Sequence, residues 1–479
     1  MDFFSIILFL ALYYVRPHEW FPLVAMMKPI MLAMLLALVS LFTEHRGIGF
    51  RDLFKTPHDW MMAALFLWTV GSSPEKMRTF DFVYNGFVFY WVTVLTLVNI
   101  KRIVTFLNWW TFFVVFLAAF ALASEIGIDP TGSYSITHGR MKDRLILNTS
   151  IFNNPNALGH SIVPAVVMLY FTGFWKRPVF SKIFTPFAML LPLTCLYLTE
   201  SKGAFLSCFA TILNALTFKR PKTVQILIVV LALTAGWTAL QFMPRMNELQ
   251  SSKTDQAIQG RVKAFHFGYK ILTTTTSGVG FARFQTEFFK EHHFYKAAHS
   301  SYVNIGCELG APGLCLFLGV IYCCLRTLIF AVTSDDEEER IRRTLFVLFV
   351  SYTVSSWMVD YENRATFYLM AAATAALHRY LISQRPANDQ TAGVEIEVQP
   401  APLLGHGVLS PIHIATSQIT TALETTGSAS ITPPPPLGEP PPPKPAGINW
   451  NRIGWVDVVM IILMYQAAKW YWHYIMNKM

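Results

Sequence analysis

Lys202, Arg261 and His299 are the side chains whose types and settings could do chemistry on an anionic substrate. Lys202 centres "LTESKGAFLS", and Arg261 opens "GRVKAFHFGYKIL" inside a long polar segment, residues 244–300, which also holds "TTSGVGFARF". His299 closes that segment and begins "HSSYVNIGCELGAPG", after which the chain is apolar again. An imidazole with a pKa near neutrality can take a proton from a sugar hydroxyl as that oxygen attacks an anomeric carbon. Arginine offers a planar fork to phosphate oxygens and lysine a point charge. A base on the acceptor and cations on a diphosphate leaving group suffice for glycosyl transfer, with no metal and no cofactor. The plainer account is that such cations snorkel to lipid headgroups and that the histidine makes a structural hydrogen bond. The three taken together favour a site.

Neighbouring segments add candidates. "GRMKDRLILNTSIFNNPNALGH" carries Arg140 and Arg144 as further diphosphate ligands, with Lys142, Asn153, Asn154 and, in a supporting role, Asn156. Val262, Phe265, Tyr269 and Leu272 recur at helical spacing and predict a helix lying on the outer surface. Gly260 before it would leave Arg261 in the first turn, where free backbone amides also favour anions. Asp360 and Glu362 stand beside Arg364 and read as a local ion pair, with a part in acceptor binding as the alternative. Glu291–His293 lacks the i, i+4 histidine pair of a zinc helix, and Gly278 with Gly280 is too little for a nucleotide loop.

The elements that must position these residues are membrane helices. Of 479 residues 53% are hydrophobic and only 14% charged, too little charge to cover a soluble protein of this length. Apolar runs lie near 3–15, 24–42, 58–72, 80–98, 103–126, 157–175, 180–198, 203–217, 222–243, 302–330, 343–359 and 362–383. They predict an all-α polytopic bundle of about twelve spans, because lipid satisfies no backbone amide and no run has the alternation of a barrel strand. Arg46, Arg51 and Lys55, Lys101 and Arg102, Lys176, Arg177 and Lys182, Lys219, Arg220 and Lys222, and Arg340, Arg342 and Arg343 fall in alternate loops. That bias puts the N-terminus in the cytoplasm and the large loop 244–300, between spans nine and ten, outside. The six cysteines read as packing residues.

Residues 1–384 thus form the membrane core. Residues 385–452, with "ITPPPPLGEPPPPKPAG", read as a disordered cytoplasmic linker, and 453–479 as a hydrophobic helix. Its apolar stretch 455–476 is either a thirteenth span or a helix in the interface, with Trp470, Tyr471 and Trp472 at headgroup level.

"HSSYVNIGCELGAPG" matches the His-[Asn/Ser/Gln]-x9-Gly-x2-Gly pattern of the O-antigen ligase family, with His299 and Ser300 at its start and Gly310 and Gly313 at its end. The order of "FNNPNALG", "TESKGAF", "GR" and "SGVGFARF" before the histidine also resembles the O-antigen ligase and polymerase superfamily, over roughly residues 1–384. "YYVRPHEWFP" resembles a subgroup of O-glycosylation ligases associated with exosortase systems. The resemblance implies a multi-pass protein of the bacterial inner membrane whose site faces the periplasm. It implies a glycan donor on undecaprenyl diphosphate, an acceptor that is lipid A core or protein, contact with membrane lipids, and no nucleic acid. His299 takes the place of the family histidine and Arg261 that of an essential arginine, while Ser300 and Tyr302 belong to the same motif. Lys202 stands where the family has a second arginine, which keeps the charge and loses the fork.

Two neighbouring activities remain open on this reading: a ligase that transfers to another carrier, and a polymerase whose acceptor is a second lipid-linked unit. A transporter of polyprenyl-linked glycan would instead line mid-bilayer with cations, and a scaffold would leave the clustering of Lys202, Arg261 and His299 unexplained.

Overall fold

The computed structural model describes residues 2–44, 50–241, 256–384 and 452–478. The linker at 385–451, residues 244–255 of the long loop, and Arg46 lie outside the described residues. Among the described residues the regular structure is helical throughout.

Every apolar run is a helix. The first half of the chain gives α1 (Asp2–Val15), α2 (Pro22–Met26), α3 (Pro29–Glu44), α4 (Phe50–Leu53), α5 (Pro57–Ser72), α6 (Lys76–Thr96), α7 (Ile100–Glu125), α8 (Ser133–His138) and α9 (Pro155–Leu169). α9 continues as a wider turn, Tyr170–Phe174. After it come α10 (Val179–Leu198), α11 (Lys202–Thr217), α12 (Lys222–Gln241), α13 (Gln256–Thr274), α14 (Phe284–His292), α15 (Ser301–Phe330), α16 (Asp336–Ser355) and α17 (Ala365–Ser383). The last is α18 (Trp455–Lys478). Four of them, α7, α9 with its wider turn, α10 and α15, are long and apolar enough to cross a membrane. α1, α3, α11 and the first part of α12 are shorter apolar helices.

Two boundaries differ from the sequence reading for local reasons. The run at 24–42 breaks between α2 and α3, where Lys28, just before Pro29, takes a left-handed backbone (φ 45°). α16 begins seven residues before 343. Asp335 caps it by accepting from the amides of Glu337 and Glu338, both at 2.8 Å, so the charged stretch "DEEERIRR" is its first two turns.

Helix ends meet at two opposite poles. At one, Asp2 pairs with Arg102, Asp59 with Arg379, Lys176 with Asp336, and Arg326 with Asp457. Arg343 donates there to the Phe218 carbonyl. At the other pole Arg16 bonds Ser150, Leu145 bonds the Leu198 carbonyl, and Ser301 bonds the Ser356 carbonyl. α1, α7, α10 and α16 therefore run toward the second pole, and α9, α11, α15 and α17 start from it. Between the poles sits one apolar core, with Trp110, Phe152, Phe317 and Phe367 wholly buried.

α18 belongs to this same compact unit. It lies along α15: Asp457 meets Arg326 at 2.9 Å, the space beside Gly319 holds Ile461, and Trp472 packs against Gly306. Trp470 and Tyr471 are exposed, as aromatic residues at headgroup level would be, but Trp472 is wholly buried.

Candidate functional site

The second pole gathers most of the predicted residues. Ser300 caps α15, accepting from the Val303 amide at 3.5 Å, and its own amide donates to Asp360 Oδ1 at 2.9 Å. Asp360 also accepts from the backbone of His299. This carboxylate, half-buried in the loop between α16 and α17, holds the turn in which His299 has φ 53°. A left-handed backbone costs a non-glycine residue about 1 kcal/mol or more, so His299 is held where local preference would not leave it. Burial of Asp360 and the charge of Glu362 raise its pKa above the usual carboxylate range, against the pull of these amides. Asp360 and Glu362 feel the charge of Arg364 but form no ion pair with it among the described residues; the expected local pair is replaced by this backbone clamp.

Arg261 faces His299 from α13. Its charge reaches both His299 and His160, a buried residue of α9 whose Nδ1 lies 2.9 Å from Ser355 Oγ. α13 starts at Gln256, so Arg261 is in the second turn and the free amides of a first turn do not serve it. Gly260 lies inside the helix, where a Cβ would come within 3.0 Å of Lys296 Nζ; its lack of a side chain makes room for a second cation beside Arg261. The helix is amphipathic, with Lys263, His266 and Lys270 exposed on one face and its apolar residues turned inward. Ala264, Phe265 and Leu272 are buried, as is Phe267 against Phe284 and Phe288 of α14.

Burial and the charges of Arg261 and Lys296 lower the His299 pKa to about 4. The imidazole is neutral across the physiological range and free to accept a proton. The acid limb of kcat/KM is therefore expected near pH 4 instead of near the ordinary histidine value of about 6.5. Lys296→Ala should move that limb upward, by only part of the interval because burial is the largest cause. Initial rates against pH for both proteins check this, and an unmoved limb near 6.5 in the parent would refute it.

Lys202 enters the same corner from α11. Ser201 caps that helix through the Ala204 amide and donates to Asn156 Oδ1 at 2.9 Å. Arg144 donates to the same oxygen at 3.1 Å and to the Thr199 carbonyl at 3.2 Å. The Gly203 site abuts His160 Nε2 and Met358 Cβ, at 3.0 and 3.1 Å from a would-be Cβ. The start of α11, with Lys202, thus abuts His160, and the charge of Arg261 reaches both His160 and His299. Arg140 is exposed in the turn after α8 and makes no hydrogen bond or ion pair with the described residues.

The remaining motif residues hold the frame. Tyr302 donates to the Thr353 carbonyl at 3.1 Å inside the bundle. Gly310 has φ 67° and ψ −167°, and a Cβ there would lie 2.0 Å from the Thr276 carbonyl oxygen. Gly313 faces Leu309 and Trp68. α15 is broken at Gly310, and "SGVGFARF" fills the break. Val279 and Gly280 donate to the carbonyls of Cys307 and Glu308, while Ala282 and Phe284 donate to the Glu308 carboxylate. Sequence reasoning missed Lys296, His160 and Glu308. Lys296 stands three residues before His299, close enough to have drawn notice, and Glu308 is a carboxylate inside an apolar run; His160 gains its place only from partners distant in the chain.

Residues 187–318 match the family model described as O-antigen ligase. The match takes in Lys202, Arg261, Lys296, His299, Gly310 and Gly313, and leaves out Arg144, Asn156, His160 and Asp360. No curated protein matches the chain. Its apolar helices and this match, which spans residues 187–318, support a multi-pass membrane protein with a ligase- or polymerase-like function, similar to the O-antigen ligase superfamily.

Proposed function

We propose that the protein transfers a glycan from undecaprenyl diphosphate to a lipid or protein acceptor at the periplasmic face of the inner membrane. What supports this reading is the match to the O-antigen ligase model together with a His299 that Asp360 holds in a left-handed turn within reach of the charges of Arg261 and Lys296. The acceptor hydroxyl gives its proton to His299 as its oxygen bonds to the anomeric carbon. The bond from that carbon to the phosphate oxygen breaks, and the electron pair leaves with undecaprenyl diphosphate. Arg261, Lys296 and Lys202 carry the added negative charge. The same cations that depress His299 in the free protein are offset once a diphosphate lies among them, so the base strengthens when the donor binds. Sidedness is supported by charge: Arg102, Lys176, Arg177, Arg340 and Arg343 fall at the pole away from His299.

The test is transfer by the full chain in proteoliposomes supplied with lipid-linked glycan and a candidate acceptor. Arg261→Ala should lose about a hundredfold or more in kcat/KM, and Arg261→Lys should recover part of it. Unchanged transfer in Arg261→Ala would defeat the assignment. A single transfer product marks a ligase, whereas a ladder of lengths would identify the polymerase relative of the same chemistry.

A further inference from the structure

We propose that α18 is a working part of the site, with Trp472 the positioning residue that sets the spacing between the helix carrying Arg261 and the helix led by His299. This rests on the catalytic reading of those two residues. Trp472 is wholly buried, and its indole N–H donates to the Phe265 carbonyl of α13 at 3.2 Å. Its ring lies in a notch made by two glycines on different helices. A Cβ at Gly268 of α13 would come within 3.1 Å of the ring, and one at Gly306 of α15 within 3.0 Å. Phe265 and Tyr269 close the notch with edge-on contacts, centroids 6.5 and 5.8 Å away.

The register ties this wedge to the chemistry. Gly268 follows Arg261 by seven residues, two turns along α13, and Gly306 lies in the second turn of α15, whose cap Ser300 directly follows His299. Seven residues return to nearly the same helix face, so the ring touches α13 on the side that bears Arg261, and it touches α15 within two turns of the end that follows His299. Gly268 also packs directly on α15, where a Cβ would meet Val303 Cγ1 at 2.8 Å. The ring and Val303 together limit how closely the two backbones approach, and the ring bears on both helices at once. The far end of α18 is held by Asp457, which accepts from Tyr322 at 2.7 Å and pairs with Arg326. A helix anchored there and wedged at Trp472 has little freedom to slide along α15.

The experiment uses the full chain in proteoliposomes. Trp472→Ala should lower turnover by about a hundredfold while the amount of inserted protein holds, the penalty of misplacing reacting groups by about 1 Å. Gly306→Ala should impair transfer by pushing a methyl against the ring, and adding Trp472→Phe, which removes the atoms it meets, should restore it. A residue that merely stabilised the bundle would not show that exchange of size for size. Wild-type turnover in Trp472→Ala, or a Gly306→Ala defect that Trp472→Phe leaves unrepaired, overturns the proposal. If Trp472→Ala fails to insert, the Gly306 pair alone decides. His299→Asn in parallel separates the two ideas: full activity there would sink the catalytic reading itself, whereas an inactive His299→Asn beside a fully active Trp472→Ala sinks only the wedge.

Discussion

His299→Asn is expected to reduce glycan transfer by about three orders of magnitude, the upper part of the range for loss of a general base. Asparagine is the informative replacement because it tolerates the left-handed backbone that residue 299 adopts. The amides that donate to Asp360, from residues 299 and 300, survive the change, as does the cap from Ser300. The fall should appear in turnover, with the inserted amount and donor binding retained, since Arg261, Lys296 and Lys202 are untouched. Single-turnover rates with saturating lipid-linked glycan measure it. Retention of more than a tenth of the parent rate would remove the imidazole from the reaction.

The second large effect is structural. Gly310→Ala should cost more than about 4 kcal/mol, enough to leave little folded protein in the membrane. Two penalties coincide there: φ 67° with ψ −167° is a conformation only glycine adopts readily, and the new methyl would lie 2.0 Å from the Thr276 oxygen. That oxygen belongs to a backbone segment tied to α15 through Val279, Gly280 and Glu308, so it cannot retreat without breaking those bonds. Gly71→Ala, at a helical position with nothing within 4 Å of the added carbon, is the control and should insert normally. Comparing detergent-extracted folded fractions of the two variants tests the contrast, and equal yields would contradict it.

Helices were legible wherever an apolar run exceeded a few turns, because a chain in lipid has few other ways to satisfy its amides. Their ends were less so. Nothing in "KPIM" says that Lys28 turns left-handed, and Gly260 looks like a boundary when it is a gap left for Lys296. Lys202, Arg261 and His299 could be picked out because a charge beside an apolar run is conspicuous. His160 and Asp360 could not, since their importance comes from neighbours 195 and 60 residues away along the chain. α18 shows the same limit: composition left it poised between crossing and lying flat, and only Arg326 at one end with the Gly268 and Gly306 notch at the other fixes its course along α15.

The burial of Trp472 also imposes an order in time. The ribosome delivers Arg261 and His299 well before it delivers the indole that packs between α13 and α15. A nascent chain, or one cut in the stretch after Ser383, would hold every reacting group yet lack the spacer that aligns them. If the wedge acts as proposed, transfer would wait until this closing helix has threaded into place.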